Sequence, residues 1–274
     1  MAGRELTSVR SPRVKAARRL AKRAFRHRDR RFLAEGPQAV REALDLPGVL
    51  VELFTTAEAE TRHADLVARA EAAGVPVLRV SGEIMAELAQ TVTPQGLLAV
   101  CAFIDIGLGK ALAPAPPLVT VLARVRDPGN AGTVLRTADA AGSQLVVFTD
   151  ASVDPYNGKC VRASAGSLFH VPIVTGSRFT PLIDALKAAG LTVIAADGTA
   201  ERSLDAAIDE GLLARPTAWV FGNEAWGLPH EILGAVDEVI RVPIHGRAES
   251  LNLATAAAVC LYSSARVQRR GDMP

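Results

Sequence analysis

The sequence predicts an α/β protein whose larger sheet is mostly parallel. Short hydrophobic segments alternate along the chain with amphipathic segments of helical periodicity, which is the pattern of strands joined by helices. In the second half of the chain the hydrophobic segments are almost uninterrupted, as expected for parallel strands that are covered on both faces. The 274 residues are 49% hydrophobic and 22% charged, which is typical of a globular protein, and their number favours two domains.

The first domain is predicted over residues 1–107. After a basic segment it contains a small α/β unit of βαβ type. The predicted elements of this unit are helices over 37–44, 57–74 and 82–90 and strands over 49–56, 75–81 and 97–104. Gly74 suits the left-handed position that follows the second of these helices.

Residues 108–117 are rich in Gly, Ala and Pro and lack hydrophobic periodicity, so they are predicted to be a linker. The second domain is predicted over residues 118–274. Its strands are expected over 117–125, 143–150, 168–174, 191–197, 217–223 and 238–244, and its helices over 130–142, 154–165, 179–190, 203–210, 229–236 and 250–270.

The charge of the chain is distributed unevenly. The formal net charge is only +2, but residues 1–31 contain ten Arg and two Lys against Glu5 and Asp29, which gives this segment a net charge of +10. The other 243 residues therefore carry −8. A basic segment on an otherwise mildly acidic chain indicates a polyanionic partner.

The basic segment is predicted to be a helix that begins after Ser11, with Pro12 in its first turn. Its apolar residues recur from Val14 to Phe25 at helical spacing and form one stripe, with cations around it. We expect these cations to contact phosphates; a solvated charged face is the plain alternative, and a transit peptide is disfavoured because serine is scarce. The candidate phosphate-binding residues are Arg13, Lys15, Arg18, Arg19, Lys22, Arg23 and Arg26.

What the sequence lacks excludes several classes of protein. The cysteines, Cys101, Cys160 and Cys260, are far apart, which excludes a disulfide framework and a thiolate zinc site. There is no P-loop, GxGxxG dinucleotide loop, GxSxG or HExxH, and the five His lack ligand spacing, so we expect no metal ion. Neither a run of about 18 apolar residues nor a signal-peptide core occurs, so we expect a cytoplasmic protein without a membrane span.

Three polar clusters follow predicted strands, at the edge where α/β sheets bind ligands. In the first cluster Asp127-Pro128-Gly129 forms a turn and Asn130 is expected to cap the next helix. Arg136 lies about one and two-thirds helical turns further on. Helix capping accounts for Asn130, but it does not explain why the charged Arg136 occurs in a helix that otherwise consists of Ala, Thr and Leu.

The second cluster spans residues 219–229. Here a hydrophobic strand ends at Gly222 and continues through Asn223 and Glu224 to Gly227. Two glycines five residues apart allow the backbone to approach a ligand closely, although a plain strand-to-helix turn is the alternative.

The third cluster spans residues 242–262. Ser250 and Asn252 precede a helix that is small or apolar on nearly all sides. Such a helix is buried, for example against a partner subunit, and the polar residues at its start would face a ligand at the sheet edge. A plain capped core helix is the alternative, and spacing alone favours the two equally.

Together the three clusters resemble the ordered motifs of the SpoU (TrmH-type) RNA ribose 2′-O-methyltransferases of the SPOUT superfamily. The matching stretches are Asn130-Ala-Gly-Thr-Val-Leu-Arg136, Gly222-Asn-Glu-Ala-Trp-Gly-Leu-Pro229, and Val242-Pro-Ile with Glu249-Ser-Leu-Asn-Leu253. Each motif is weak by itself, but three in this order are specific, and they cover about residues 118–265. Residues 32–101 also resemble the L30e-like substrate-binding domain of ribosomal-RNA members. Ala225-Trp226 departs from the glycine and small or charged residue of many relatives, which should alter the loop surface rather than the reaction.

The resemblance implies a deep trefoil knot in the second domain, an obligate homodimer with the last helix at its interface, and S-adenosyl-L-methionine bound in the knot largely by backbone groups. The implied cofactor-binding residues are Ala195, Ala196, Asp197, Gly222, Asn223, Val242, Ile244, Leu251 and Asn252.

The resemblance also implies the reaction, which is methyl transfer to a ribose 2′-hydroxyl of structured RNA, with 23S ribosomal RNA expected as the substrate. The implied catalytic residues are Arg136, Asn130, Glu224, Ser250 and Asn252. In the family the counterpart of Arg136 is proposed to take the hydroxyl proton. A guanidinium keeps its proton and accepts no hydrogen bond, so Arg136 could equally clamp a phosphate and stabilise the developing alkoxide.

Two other functions compete with this interpretation. A transfer-RNA substrate is disfavoured by the L30e-like domain, because transfer-RNA relatives typically carry short extensions instead. A non-catalytic RNA-binding or ribosome-assembly protein would have no need of Arg136, Asn223-Glu224 or Ser250 and Asn252. The motifs do not select a nucleotide, and housekeeping and antibiotic-resistance enzymes share them.

Overall fold

The structure is a computed structural model that describes residues 5–6, 8–89, 91–223 and 226–269. The chain forms two compact units, one of Met1–Ile104 with Tyr156–Phe169 and the other of Asp105–Pro155 with His170–Pro274. The domain ranges predicted from the sequence are contiguous, whereas the first unit also takes in a segment from the middle of the chain.

Strands and helices alternate through both units, as the sequence predicts. The strands are β1 (Glu5–Leu6), β2 (Arg31–Glu35), β3 (Leu50–Thr55), β4 (Val77–Val80), β5 (Leu97–Ala102), β6 (Leu118–Leu122), β7 (Leu145–Thr149), β8 (Ile173–Ser177), β9 (Thr192–Ala196), β10 (Arg202–Ser203), β11 (Thr217–Phe221) and β12 (Glu238–Arg241). The helices are α1 (Pro12–Arg19), α2 (Arg23–Asp29), α3 (Pro37–Asp45), α4 (Ala57–Arg62), α5 (Ala64–Ala72), α6 (Gly82–Leu88), α7 (Leu108–Ala111), α8 (Pro128–Ala141), α9 (Gly158–Ala163), α10 (Phe179–Ala188), α11 (Leu204–Asp209), α12 (His230–Leu233) and α13 (Leu253–Gln268). None of the described helices combines the length and hydrophobicity needed to cross a bilayer.

The first unit contains a five-stranded mixed sheet in the order β1-β4-β3-β5-β2. The strand β4 is parallel to β1 and β3, while β5 is antiparallel to β3 and β2. The predicted βαβ arrangement is therefore confirmed only for β3, the helices α4 and α5, and β4. The strands β1 and β2 were not predicted, and the helix predicted over 57–74 is interrupted at His63.

The apolar stripe of the basic segment is confirmed at Val14, Ala17 and Leu20. These three residues are buried and join a core that contains Phe54 of β3 and Met85 of α6. Burial of this stripe fixes α1 on the first unit and leaves its charged residues on the outside.

The basic segment forms two helices rather than the single helix that we predicted, because the helix is interrupted between Arg19 and Arg23. The Arg26 guanidinium donates hydrogen bonds to the carbonyl oxygens of Leu20 (2.9 Å) and Ala21 (2.8 Å). These bonds satisfy backbone acceptors that the end of a helix leaves without partners.

The second unit contains a seven-stranded sheet in the order β10-β12-β9-β11-β6-β7-β8. Every strand pairing in it is parallel, which confirms the predicted parallel sheet. The strand β11 lies between β9 and β6, and β12 lies between β10 and β9, so later strands enter between earlier ones. The trefoil knot stays a prediction.

Both faces of this sheet are buried, which explains its almost uninterrupted hydrophobic segments. On one face Val121 and Ala195 share a core with Leu186 of α10. On the other face the buried Trp219 donates a hydrogen bond from Nε1 to Oγ of Ser264 in α13, at 2.8 Å.

Some predicted boundaries of secondary-structure elements in the second half of the chain are wrong. The strand predicted over 168–174 begins only at Ile173, because Ser167–Phe169 forms a buried 3₁₀ turn that belongs to the first unit. The predicted linker contains α7, and its residues Leu108 and Ala111 pack on the core of the second unit. The two-residue edge strand β10 was not predicted.

Candidate active site

A cavity of about 330 Å³ lies where three neighbouring strands of the second unit end. Ala196, the last residue of β9, pairs with Phe221 at the end of β11 on one side and with Ile240 near the end of β12 on the other. Parallel strands direct their carboxyl ends to the same edge of a sheet, which is where open α/β sheets bind ligands. The cavity is lined by Ala196, Asp197, Gly198, Phe221, Gly222, Asn223, Gly227, Arg241, Val242, Ile244, Glu249, Ser250, Leu251, Leu253 and Ala256.

Hydrogen bonds within the chain hold two charged side chains of the cavity. Asp197 Oδ1 accepts hydrogen bonds from the backbone nitrogen (2.9 Å) and the hydroxyl (2.6 Å) of Thr199. The Arg241 guanidinium donates to the carbonyl oxygens of Ala200, at 2.8 Å, and Glu201. Both side chains are thereby oriented by the chain itself, with no other ligand required.

The loop after β11 forms one wall of the cavity. It is closed by a short antiparallel bridge in which the Gly227 nitrogen donates to the Asn223 carbonyl oxygen at 2.8 Å. A Cβ atom on Gly222 would lie 2.7 Å from Leu228 Cγ and 2.8 Å from the Gly227 carbonyl oxygen, so only glycine fits. The predicted catalytic residue Glu224 lies outside the described residues.

Asn252 links the start of α13 to the start of α8. Its side-chain oxygen accepts hydrogen bonds from the backbone nitrogens of Ala254 (2.9 Å) and Thr255 (3.4 Å), so Asn252 caps α13. Its Nδ2 donates to Oδ1 of Asn130 at 3.3 Å. The structure therefore brings two predicted catalytic residues together.

The cap that we predicted for Asn130 is wrong. Asp127 caps α8 instead, because its Oδ1 accepts a hydrogen bond from the Asn130 backbone nitrogen at 2.8 Å. Pro128 occupies the first position of the helix, so the residue before it is the cap. The Asn130 side chain is consequently available for its contact with Asn252.

Most predicted cofactor residues line the cavity. Those that do are Ala196, Asp197, Gly222, Asn223, Val242, Ile244 and Leu251, together with the predicted catalytic residue Ser250. Ala195 is buried inside β9 and Asn252 lies between two lining residues, but neither lines the cavity itself. Arg136 is exposed on α8 and is not among the lining residues.

Some residues of the cavity were not predicted from the sequence as site residues. Arg241 and Gly198 line it without having been singled out, and Glu249 lines it although it was named only as part of the third motif. A rule that takes the last residue of each predicted parallel strand and the two that follow would have found Gly198. Among the described residues there is no group of three or more His, Cys, Asp or Glu that could hold a metal ion.

The predicted RNA-binding cations lie on α1, on α2 and between these helices. Lys15 and Lys22 are exposed and form no ion pair among the described residues. The four other exposed cations each have a neighbour: Arg13 pairs with Glu52 at 3.3 Å, Arg18 pairs with Glu87 at 2.8 Å, Arg19 lies over the Phe25 ring, and Arg23 donates to His27 at 3.4 Å.

Arg26 does not fit the predicted surface. Its side chain is buried, and its guanidinium is engaged by the backbone between α1 and α2. A buried guanidinium with protein acceptors cannot also reach an RNA phosphate, so we leave Arg26 out of the RNA-binding surface.

Two family profiles match this chain. That of the SpoU rRNA Methylase family matches residues 117–262, and that of the MRM3-like substrate binding domain matches residues 11–99. The first range contains the whole cavity, and the second contains α1 and α2.

Individual proteins resemble the chain over 82% or more of its length. The 23S rRNA (guanosine(2553)-2′-O)-methyltransferase RlmP of Bacillus subtilis is 35% identical, with 94% of this chain and 98% of that protein covered. The 23S rRNA (guanosine-2′-O-)-methyltransferase RlmB of Bordetella pertussis is 32% identical over 82% of this chain and 92% of that protein. The crystal structure of an AdoMet-bound rRNA methyltransferase from Sinorhizobium meliloti has a TM-score of 0.82 and 31% identity, and 99% of each chain is covered.

Proposed function

Because the chain belongs to the SpoU rRNA methylase family, we propose that it methylates a ribose 2′-hydroxyl of 23S ribosomal RNA with S-adenosyl-L-methionine as the methyl donor. The observation that carries this proposal is the cavity at the ends of β9, β11 and β12, because it is lined by eight site residues that the family resemblance implies. An enzyme with this substrate would act in the cytoplasm.

The cavity fits S-adenosylmethionine in size and in chemistry. Its volume of about 330 Å³ lies within the usual range for ligand pockets. Val242, Ile244 and Leu251 offer apolar surface to a purine, and the loops that follow the strands offer backbone polar groups. The carboxylates of Asp197 and Glu249 are opposite in charge to the sulfonium of the donor, and the Arg241 guanidinium is opposite in charge to its carboxylate.

When bound, S-adenosylmethionine supplies an electrophilic methyl group for an in-line displacement. The chain must then hold the ribose, accept or relay the proton of its 2′-oxygen and keep water out. Ser250 lies on the cavity, and the Asn252–Asn130 hydrogen bond fixes polar groups at the start of two helices beside it. We assign the orientation of the ribose to these three residues, with Glu224 as a further candidate.

We assign Arg136 an electrostatic role rather than that of a base. Its side chain is exposed on α8, and a guanidinium in water remains a cation with no hydrogen-bond acceptor. A cation near the reacting oxygen or on an adjacent phosphate would stabilise the alkoxide that develops there. Arg136→Lys keeps the charge but loses the two-pronged geometry, so near-wild-type activity would exclude a bidentate contact.

The exposed cations of α1 and α2 are proposed to hold the RNA. Lys15 and Lys22 form no ion pair among the described residues, so their charges are available to phosphates. The match of residues 11–99 to a substrate-binding domain supports this assignment, since both helices lie in that range.

We also propose that the enzyme is a homodimer with α13 at its interface. The helix is not buried on all sides within the chain, because Val259 and Tyr262 are exposed while Ala257 and Leu261 are buried. Exposed apolar residues three apart lie on one face of a helix, which a second copy of the chain would cover. Light scattering on the purified protein tests this, and a monomer would overturn it.

Two measurements test the proposed reaction. Mapping of 2′-O-methyl groups in the ribosomal RNA of a deletion strain should reveal one missing methyl group that the wild-type gene restores and a gene encoding Asn252→Asp restores less well. No missing methyl group anywhere would overturn the proposal.

Calorimetry should show S-adenosylmethionine binding, and no heat at high concentration would favour a non-catalytic RNA-binding protein.

A further inference from the structure

A tryptophan stands exposed beside the cavity. Trp226 keeps 73% of its surface accessible, although it belongs to the loop in which Asn223 and Gly227 line the cavity. An exposed aromatic ring next to a ligand cavity offers a flat apolar surface that a bound molecule can cover. The other tryptophan, Trp219, is fully buried.

An arginine from another loop lies against this ring. The guanidinium carbon of Arg126 is 5.2 Å from the Trp226 ring centroid, within the range of a cation–π contact. Arg126 is itself exposed and directly precedes Asp127, the cap of α8. Two of the three polar clusters therefore place an aromatic ring and a cation together, next to the loop whose Asn223 and Gly227 line the cavity.

We propose that Trp226 and Arg126 form a stacking platform for an unpaired base of the substrate RNA, at or next to the methylated nucleotide. The inference rests on the proposed function, because it presumes that a ribose enters the neighbouring cavity. Unpaired RNA bases stack on aromatic rings and on guanidinium planes, and arginine can hold a phosphate at the same time.

The platform suits a base of the RNA better than the adenine of the cofactor. Trp226 is not among the residues that line the cavity, whereas its loop neighbours Asn223 and Gly227 are. A ribose that reaches into the cavity must leave its own base or a neighbouring base outside. That base then meets a ring that remains mostly accessible even with Arg126 beside it.

Tryptophan fluorescence tests the contact directly, because the chain has only two tryptophans and one is buried. Poly(A) should quench the wild-type emission, and inorganic polyphosphate of equal charge should not. The variant Trp226→Phe should show no quenching. Quenching that persists in this variant, or equal quenching by polyphosphate, would overturn the proposal. This titration needs no methylation, so it gives an answer even if the proposed reaction fails.

Steady-state methylation of 23S ribosomal RNA gives the second test. Trp226→Ala should raise KM for RNA about 5- to 150-fold, the usual cost of losing one base–aromatic stack, with little change in kcat. Trp226→Phe should recover most of the affinity, which a loss of folding would not allow. An unchanged KM, a weaker affinity for S-adenosylmethionine, or conversion of a dimer to monomers in light scattering would each overturn the platform.

Discussion

The exposed cations of α1, of α2 and of the segment between them form a basic face. Its residues are Arg13, Lys15, Arg18, Arg19, Lys22 and Arg23. This basic face and the cavity of the second unit are suited to ligands by different physical forces. The first is an exposed surface of cations that surround a buried apolar stripe. The second is a partly enclosed site whose walls are strand ends, glycines and apolar side chains, and whose Arg241 is held by backbone carbonyl oxygens. The first should therefore respond to salt and to charge, and the second to changes in shape.

The largest effect should come from changing the shape of the cavity. In Gly222→Ala the new Cβ would clash with Leu228 and with the Gly227 carbonyl, so the loop must move. Overpacking of this kind costs about 1–3 kcal/mol, and we expect affinity for S-adenosylmethionine to fall roughly 5- to 150-fold in calorimetry.

Gly246→Ala is the matched control for this change. Gly246 lies in the segment between two stretches that line the cavity, but a Cβ there meets nothing within 4 Å. The control should bind S-adenosylmethionine as the wild type does. Equal binding by Gly222→Ala would mean that the close packing of this loop does not shape the site.

The basic face should respond to charge instead. Lys15→Gln combined with Lys22→Gln should lower the slope of log affinity for RNA against log salt by about 1.4–1.8, because each lost phosphate contact removes about 0.7–0.9. Near physiological salt we expect an affinity about tenfold weaker. Filter binding at several salt concentrations measures both quantities, and affinity for S-adenosylmethionine should stay unchanged.

A control with the same loss of charge uses Lys110→Gln and Lys187→Gln. Lys187 is already paired with Asp237 at 2.8 Å, and both lysines belong to the second unit. If this control lowers the salt slope equally, RNA binding depends on net charge and not on the basic face.

A smaller effect should separate two roles of Asn252. Asn252→Asp keeps the cap of α13, since Asp and Asn cap equally well, but its carboxylate cannot donate to Asn130. We expect unchanged thermal stability and a fall in kcat/KM of about 2- to 12-fold, the value of one hydrogen bond. Asn252→Ala should also lose about 0.5–2 kcal/mol of stability. If Asn252→Asp is fully active, the residue is only a cap.

The fold was predictable where periodicity is strong and uncertain where a tertiary contact decides. The buried strands β6, β7, β9 and β11 follow from continuous apolar segments. The short strands β1 and β10 have two residues each, too few to produce a pattern. The segment Tyr156–Phe169 belongs to the first unit although its neighbours in sequence do not. Nothing in the composition of this segment indicates that it packs with the first unit.

The cavity was predictable because several residues that the resemblance implies come directly after parallel strands. Asp197, Gly222 and Val242 each follow the last or nearly the last residue of a parallel strand, and the sheet brings these ends together. The cap of α8 was misassigned although a signal existed, since Pro128 marks the first position of the helix. The burial of Arg26 had no such signal, because it depends on the break between α1 and α2.

The smallest effect concerns a pair of charges in the first unit that bind each other. Arg79 donates to both carboxylate oxygens of Glu60, at 2.7 and 2.6 Å, and this lowers the pKa of Glu60 below its usual value. A lowered pKa in the folded state means that the pair stabilises the protein above about pH 4.3, and that this stability is lost as the pH falls through the folded pKa. The pair is partly exposed, so Glu60→Gln should cost less than about 1 kcal/mol at neutral pH and nothing in strong acid. Urea unfolding of the wild type and of Glu60→Gln at both pH values measures this loss of unfolding free energy. An equal loss at the two pH values would show that Glu60 acts through packing rather than charge.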